Sequence, residues 1–196
     1  MSNIKDFEIV DGILVKYHGR DGEVVIPEGV TAIADGVFQF SKKVTNVTLP
    51  NSVKSIGDNA FFECRNLINI TLNDGITNIG VGAFAKCISL TKIILPNGIE
   101  KINDHTFGYC RGLTHIVLPD TITSIGECVF LHCESLKYIH LPSELKTVGE
   151  NSFSGCENLE RIEIAESNPF YKIINGNLYT KDGKRLVLSL NKKVDN

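Results

Sequence analysis

The stretch Ile139-His-Leu-Pro-Ser-Glu-Leu-Lys-Thr-Val-Gly-Glu-Asn-Ser-Phe-Ser-Gly-Cys-Glu-Asn-Leu159 decides the fold, because its apolar residues recur along the chain at one interval. Prolines stand at Pro27, Pro50, Pro96, Pro119 and Pro142, a step of 23 residues once Asn73 fills the vacant place. Phenylalanines keep the same step at Phe38, Phe61, Phe84, Phe107, Phe130 and Phe153, and cysteines at Cys64, Cys87, Cys110, Cys133 and Cys156. Ile33, Ile56, Ile79, Ile102, Ile125 and Val148 form another column, as do Leu67, Leu90, Leu113, Leu136 and Leu159. Apolar positions held at a fixed period mean that no unit buries its own core. Each must stack on its neighbours in a quasi-linear array.

Within one unit, residues 113–119 alternate apolar side chains at Ile116 and Leu118 and stop at a proline, the pattern of a short parallel strand. Residues 122–126 read as a second extended piece, and residues 129–133 as a turn of 3₁₀ or α-helix returning the chain. The expected fold is an α/β repeat solenoid whose coils have about three sides and stack roughly 4.8 Å apart. Residues 24–164 hold about six units. The ends resemble each other: Phe7-Glu-Ile-Val-Asp-Gly-Ile-Leu14 parallels Tyr171-Lys-Ile-Ile-Asn-Gly-Asn-Leu178, and Asp-Gly or Asn-Gly between apolar residues signals a hairpin. Residues 1–23 and 165–190 are therefore expected to be β-hairpin caps, and 191–196 a polar tail.

The unit, written I-x-L-P-x-x-[VI]-x-x-I-G-x-x-[AS]-F-x-x-C-x-x-L, resembles the BspA-like leucine-rich repeats over roughly residues 24 to 164, and the flanking hairpins resemble the end segments of such arrays. The resemblance implies a right-handed leucine-rich repeat array with its parallel strands on a concave face. It also implies a setting in surface or secreted proteins of host-associated bacteria and some protist parasites, with roles in adhesion and protein binding. It brings no catalytic residues.

Composition narrows the partners. With 42% hydrophobic and 22% charged residues the chain is expected to fold around a real core. Lys and Arg number 20 against 23 Asp and Glu, so a net charge of -3 supplies no general field for nucleic acid or an anionic membrane. The N-terminus has no basic segment leading into a long apolar one, and no apolar run approaches a membrane span. As written, the chain reads as soluble and cytoplasmic, whereas the family resemblance points outward.

The cysteines, histidines and glycines are the candidates for a chemical site. A single row of thiols, one per coil, places ligands in a line and not at tetrahedral corners, so no metal is expected. The row is expected to be buried and unbridged, with Ser41 in place of Cys in the first unit and Cys128, outside the row, as the exposed thiol. His18, His105 and His132 read as scattered solvent-facing residues. Gly57, Gly80, Gly126 and Gly149 read as coil corners needing a special backbone angle. Neither catalytic residues nor a cofactor site emerges.

The strand face is different. Counting outward from the inward-facing Ile, period-two alternation exposes two columns: Asn46, Asn69, Lys92, His115, Tyr138 and Arg161, and beside it Val25, Thr48, Thr71, Ile94, Val117, His140 and Glu163. Early coils offer Asn and Thr. Later coils offer Lys92, Ile94, His115, Val117, Tyr138, His140 and Arg161, and Tyr and Arg beside exposed apolar side chains are what a protein-binding hot spot is made of. A protein partner is expected there, with self-association of the rods as the alternative.

Overall fold

A computed structural model describes residues 3–190. The expected tail, 191–196, lies outside the described residues. The strongest strand of each unit forms a parallel stack of seven: β3 (Glu23–Val25), β5 (Asn46–Thr48), β7 (Asn69–Thr71), β9 (Lys92–Ile94), β11 (His115–Val117), β13 (Tyr138–Leu141) and β15 (Arg161–Ile164). A second side carries two-residue strands: β4 (Ala32–Ile33), β6 (Ser55–Ile56), β8 (Asn78–Ile79), β10 (Lys101–Ile102), β12 (Ser124–Ile125) and β14 (Thr147–Val148). Every parallel pairing between two of these units joins residues one repeat apart, as in Val47↔Ile70 and Ile125↔Val148. The result is a β-solenoid of about seven turns.

Register of one repeat puts like on like through the core. Phe38, Phe61, Phe84, Phe107 and Phe130 stack with ring centroids 4.9–5.9 Å apart and planes within 3–5° of parallel. Each ladder thiol donates to the carbonyl of the Phe in the previous rung, from Cys64 to Phe38 at 3.0 Å through Cys156 to Phe130 at 3.1 Å. All six thiols are free, the five in the row are buried, and Cys128 is half-buried.

The third side is not helical, and the α/β description gives way to a β-solenoid. Apart from a 3₁₀ turn at Ile4–Asp6, the described residues contain no helix. Two positions in every rung have positive φ: Gly36, Asn59, Gly82, His105, Cys128 and Asn151 form one column, and Phe40, Glu63, Lys86, Tyr109, His132 and Gly155 the other. Two left-handed residues four apart break any run of right-handed helix. The backbone instead alternates local turns, such as Leu131 N–H to Cys128 O, with bonds to the next rung, such as Tyr109 N–H to Leu131 O at 2.6 Å.

The glycines read as corner residues have another cause. Gly57, Gly80, Gly126 and Gly149 do not have positive φ. A Cβ on Gly149 would lie 2.4 Å from the carbonyl carbon of Gly126, and one on Gly80 would lie 2.5 Å from the Asp58 nitrogen. These glycines let one rung settle on the next.

Neither side is an unbroken ladder. Among the described residues the first side divides into β3-β5-β7, β9-β11 and β13-β15, and the second breaks between β8 and β10. Both sides therefore part between the third and fourth rungs. At that joint the repeat carries Asn103 instead of the close-approach glycine, and its side-chain amide donates to Ile79 O at 2.7 Å, an acceptor that a backbone N–H takes in other rungs. Among the described residues, the backbone bonds that continue across lie on the turn side, as in Gly82 N–H to Asp104 O and Phe84 N–H to Thr106 O.

At the ends the strands turn antiparallel. β1 (Phe7–Val10) pairs with β2 (Ile13–Tyr17) across Asp11-Gly12, and β16 (Tyr171–Ile174) with β17 (Asn177–Thr180) across Asn175-Gly176, all four turn residues having positive φ as a tight hairpin turn requires. β18 (Leu186–Leu188) adds a third strand at the C-terminal end.

Candidate interaction surface

Main-strand alternation buries Ile93, Ile116, Ile139 and Ile162 and exposes the residues on either side, as a pleat demands. Ile94 is 53% exposed, Val117 50% and Tyr138 40%, a large apolar exposure for residues on three consecutive strands. Lys92, His115, His140 and Arg161 are exposed beside them.

The seven residues fall into two groups. Lys92 pairs with His115 and Ile94 with Val117 across β9 and β11. Tyr138 pairs with Arg161 across β13 and β15, where His140 faces Glu163. No ladder joins β11 to β13 among the described residues, so the groups are neighbours without sharing a hydrogen-bonded sheet.

The second group is organised around Glu163, which the sequence places in the column but gives no role. Tyr138 Oη donates to Glu163 Oε2 at 2.6 Å, His140 Nδ1 lies 3.7 Å from the same oxygen, and Arg161 pairs with the other oxygen. The Arg161 guanidinium also sits 5.8 Å from the centre of the Tyr138 ring. The Tyr138 hydrogen bond, with the Arg161 charge, holds the Glu163 carboxyl below its usual range, while the same bond pushes the Tyr138 phenol up. Register was the signal: Glu163 is one repeat beyond His140. In the first group His115 Nδ1 is 2.8 Å from Thr114 Oγ1, and among the described residues neither Lys92 nor His115 shows an ion pair with a carboxylate.

Two hollows border these groups. One of about 310 Å³ follows the joint between β7 and β9 and is lined by Asn69, Thr71, Lys92 and Ile94. The other, about 500 Å³, lies where β15 meets β16, between His140, Glu163, Glu166, Lys172 and Ile173. Among the described residues no cluster of His, Cys, Asp or Glu could hold a metal ion, and no helix is long and apolar enough to cross a membrane.

Comparison with known proteins agrees with this geometry. No curated protein matches the chain. A leucine-rich repeat protein of Treponema pallidum has 33% identity and a TM-score of 0.77 over 83% of each chain. A leucine rich cell surface protein of Faecalibacterium prausnitzii has 28% identity and a TM-score of 0.70, matching 95% of this chain but only 58% of its own. A leucine-rich repeat protein of Bacteroides ovatus has 27% identity and a TM-score of 0.60, over 85% of this chain and 51% of the other. The family model for the BspA type leucine rich repeat region matches residues 22–111 and 100–182, with six copies. A 23-residue period, stacked Phe and Cys columns and this match together establish that the chain belongs to the BspA type leucine-rich repeat family.

Proposed function

We propose that this solenoid is a non-enzymatic protein-binding module whose main-strand face, in its C-terminal half, contacts another protein. The observation that carries the reading is Tyr138, exposed yet already oriented by Glu163 and Arg161, on the strand face that carries exposed Val117 one rung earlier and Ile94 two rungs earlier. An aromatic anchor held in place before binding loses little conformational entropy when it docks, and such anchors carry most of the energy of protein interfaces. The Faecalibacterium relative is a cell surface protein, which supports a role in adhesion or host contact for this chain as well.

The test compares wild type with a Tyr138→Ala, Arg161→Ala double variant for capture of partners from host-cell surface extract and from lysate of the source cell. Loss of a captured protein at unchanged melting temperature is expected. Equal capture by the variant would remove this face from consideration.

A further inference from the structure

We propose that the turn side of the solenoid is a docking surface for a second copy of this chain, laid antiparallel about a two-fold axis. Two adjacent columns of side chains carry the proposal. The residue after each ladder cysteine, with Ser41 opening the row, runs Lys42, Arg65, Ile88, Arg111, Glu134, Glu157. It is basic through four rungs, interrupted by one isoleucine, and acidic in the last two. The left-handed column two residues earlier runs Phe40, Glu63, Lys86, Tyr109, His132, Gly155.

A two-fold axis between the third and fourth rungs sets the first rung of one copy against the sixth of the other. Lys42 then faces Glu157, Arg65 faces Glu134, and Ile88 lies under the aliphatic stem of Arg111. In the second column Glu63 faces His132, Lys86 faces the Tyr109 ring, and Phe40, an exposed aromatic, meets Gly155, which has no side chain in the way. Each charged position in the two columns gains a complementary partner, and each contact is made twice, as an isologous arrangement requires. A parallel arrangement that laid the first column on itself would set Lys42 on Lys42 and Glu157 on Glu157.

The backbone keeps these columns straight enough to match. Successive Phe rings from Phe38 to Phe130 are 3–5° from parallel, the Phe130–Phe153 pair beneath the sixth rung is tilted by 26°, and the left-handed residues from Phe40 to His132 bond rung to rung at 2.6–2.8 Å. A hollow of about 320 Å³ spans the second to fourth rungs next to the proposed axis, lined by Glu63, Arg65, Lys86, Ile88, Tyr109 and Arg111. Within one chain these charges are provisionally satisfied, Lys86 with Glu63 at 2.8 Å and Arg111 with Glu134 at 3.1 Å. Such exposed pairs are weakly held and exchange partners at little cost. Six rungs span about 24 Å, a small patch, so the dimer is expected to depend on concentration and salt.

Sedimentation velocity on the full chain tests this with two reversal variants, Lys42→Glu with Arg65→Glu, and Glu134→Arg with Glu157→Lys. Wild type is expected to dimerise as its concentration rises toward about 1 mM and to dissociate in 1 M salt. Each variant alone presents like charges and associates roughly tenfold or more weakly. An equimolar mixture restores complementarity and forms a heterodimer. The Tyr138→Ala, Arg161→Ala variant dimerises as wild type, which separates this surface from the strand face. Circular dichroism spectra matching that of wild type are expected for both reversal variants and check that they fold. A wild type that stays monomeric throughout, or reversal variants that dimerise as well alone as wild type does, would overturn the proposal.

Discussion

Cys87 and its four equivalents occupy the interior as small apolar groups whose S–H reaches a carbonyl one rung back, at 3.0–3.3 Å. Burial pushes Cys64, Cys110 and Cys156 up to about 12 and holds Cys87 and Cys133 well above the usual thiol value. In the unfolded chain these thiols ionise from about pH 8.5. The folded state then binds more protons than the unfolded one, so the contribution is complete below that pH and is lost as pH climbs toward 12. Midpoints of urea unfolding should accordingly fall steadily above pH 9, and the slope should flatten in a variant with ladder cysteines changed to Ala. At pH 8 a thiol reagent should modify Cys128 alone in the native protein, slowly because burial together with Glu127 and Asp104 raises that thiol too, and all six in denaturant. The cysteine row was legible from spacing because burial follows the repeat. The histidines show the limit: His105 and His18 are exposed as expected, but His132 is half-buried and stacks on Tyr109 with ring centres 5.1 Å apart, a contact made by a neighbour one rung away.

At the scale of the element, the C-terminal end shows how an open strand edge is closed. Asn168 is buried at the position that Val53, Ile76, Ile99, Ile122 and Leu145 hold in earlier rungs, and Tyr171 takes the place of Val148 and the isoleucines before it. The Asn168 amide donates to Ser143 O and Leu145 O, and its oxygen accepts from the N–H groups of Phe170 and Tyr171. The Tyr171 hydroxyl accepts from Val148 N–H at 2.9 Å and donates to Lys146 O at 3.2 Å. Both residues keep the bulk of the column while satisfying groups the next rung would have taken. Tyr171→Phe leaves those two groups without a partner, and chemical denaturation should register a loss of about 1–3 kcal/mol. The hairpin turns were readable from Asp-Gly and Asn-Gly alone. Closure was not, because Asn168 and Tyr171 look like breaks in the repeat until the rung beneath them is seen.

Over the whole molecule, the joint between the third and fourth rungs is the place where, among the described residues, both strand sides part together. Thr77 N–H donates to Lys54 O and Thr123 N–H to Glu100 O, whereas Glu100 N–H, their counterpart at the joint, has no such bond among the described residues. A solenoid's stability is a sum of rungs and their interfaces, so a thinner interface opens first. Native-state hydrogen exchange should find Glu100 N–H faster than Thr77 and Thr123 N–H, with two blocks of protection on either side; equal protection would show that the turn-side bonds alone hold the rungs together.

The sequence by itself determined the stacking, the inward columns of Ile, Leu, Phe and Cys, and the two outward columns on the strand face, because all of these repeat at 23 residues and periodicity is what a sequence carries directly. Only the tertiary structure decided what lies between rungs. The helical turn expected of residues 129–133 became left-handed residues bonded to the next coil, the glycines of the second side turned out to serve close approach, and Glu163 became the centre of the Tyr138, His140 and Arg161 group. Each depends on atoms one repeat apart meeting within a few ångströms, and a distance between rungs is set by packing and hydrogen bonding, not by the order of residues along the chain.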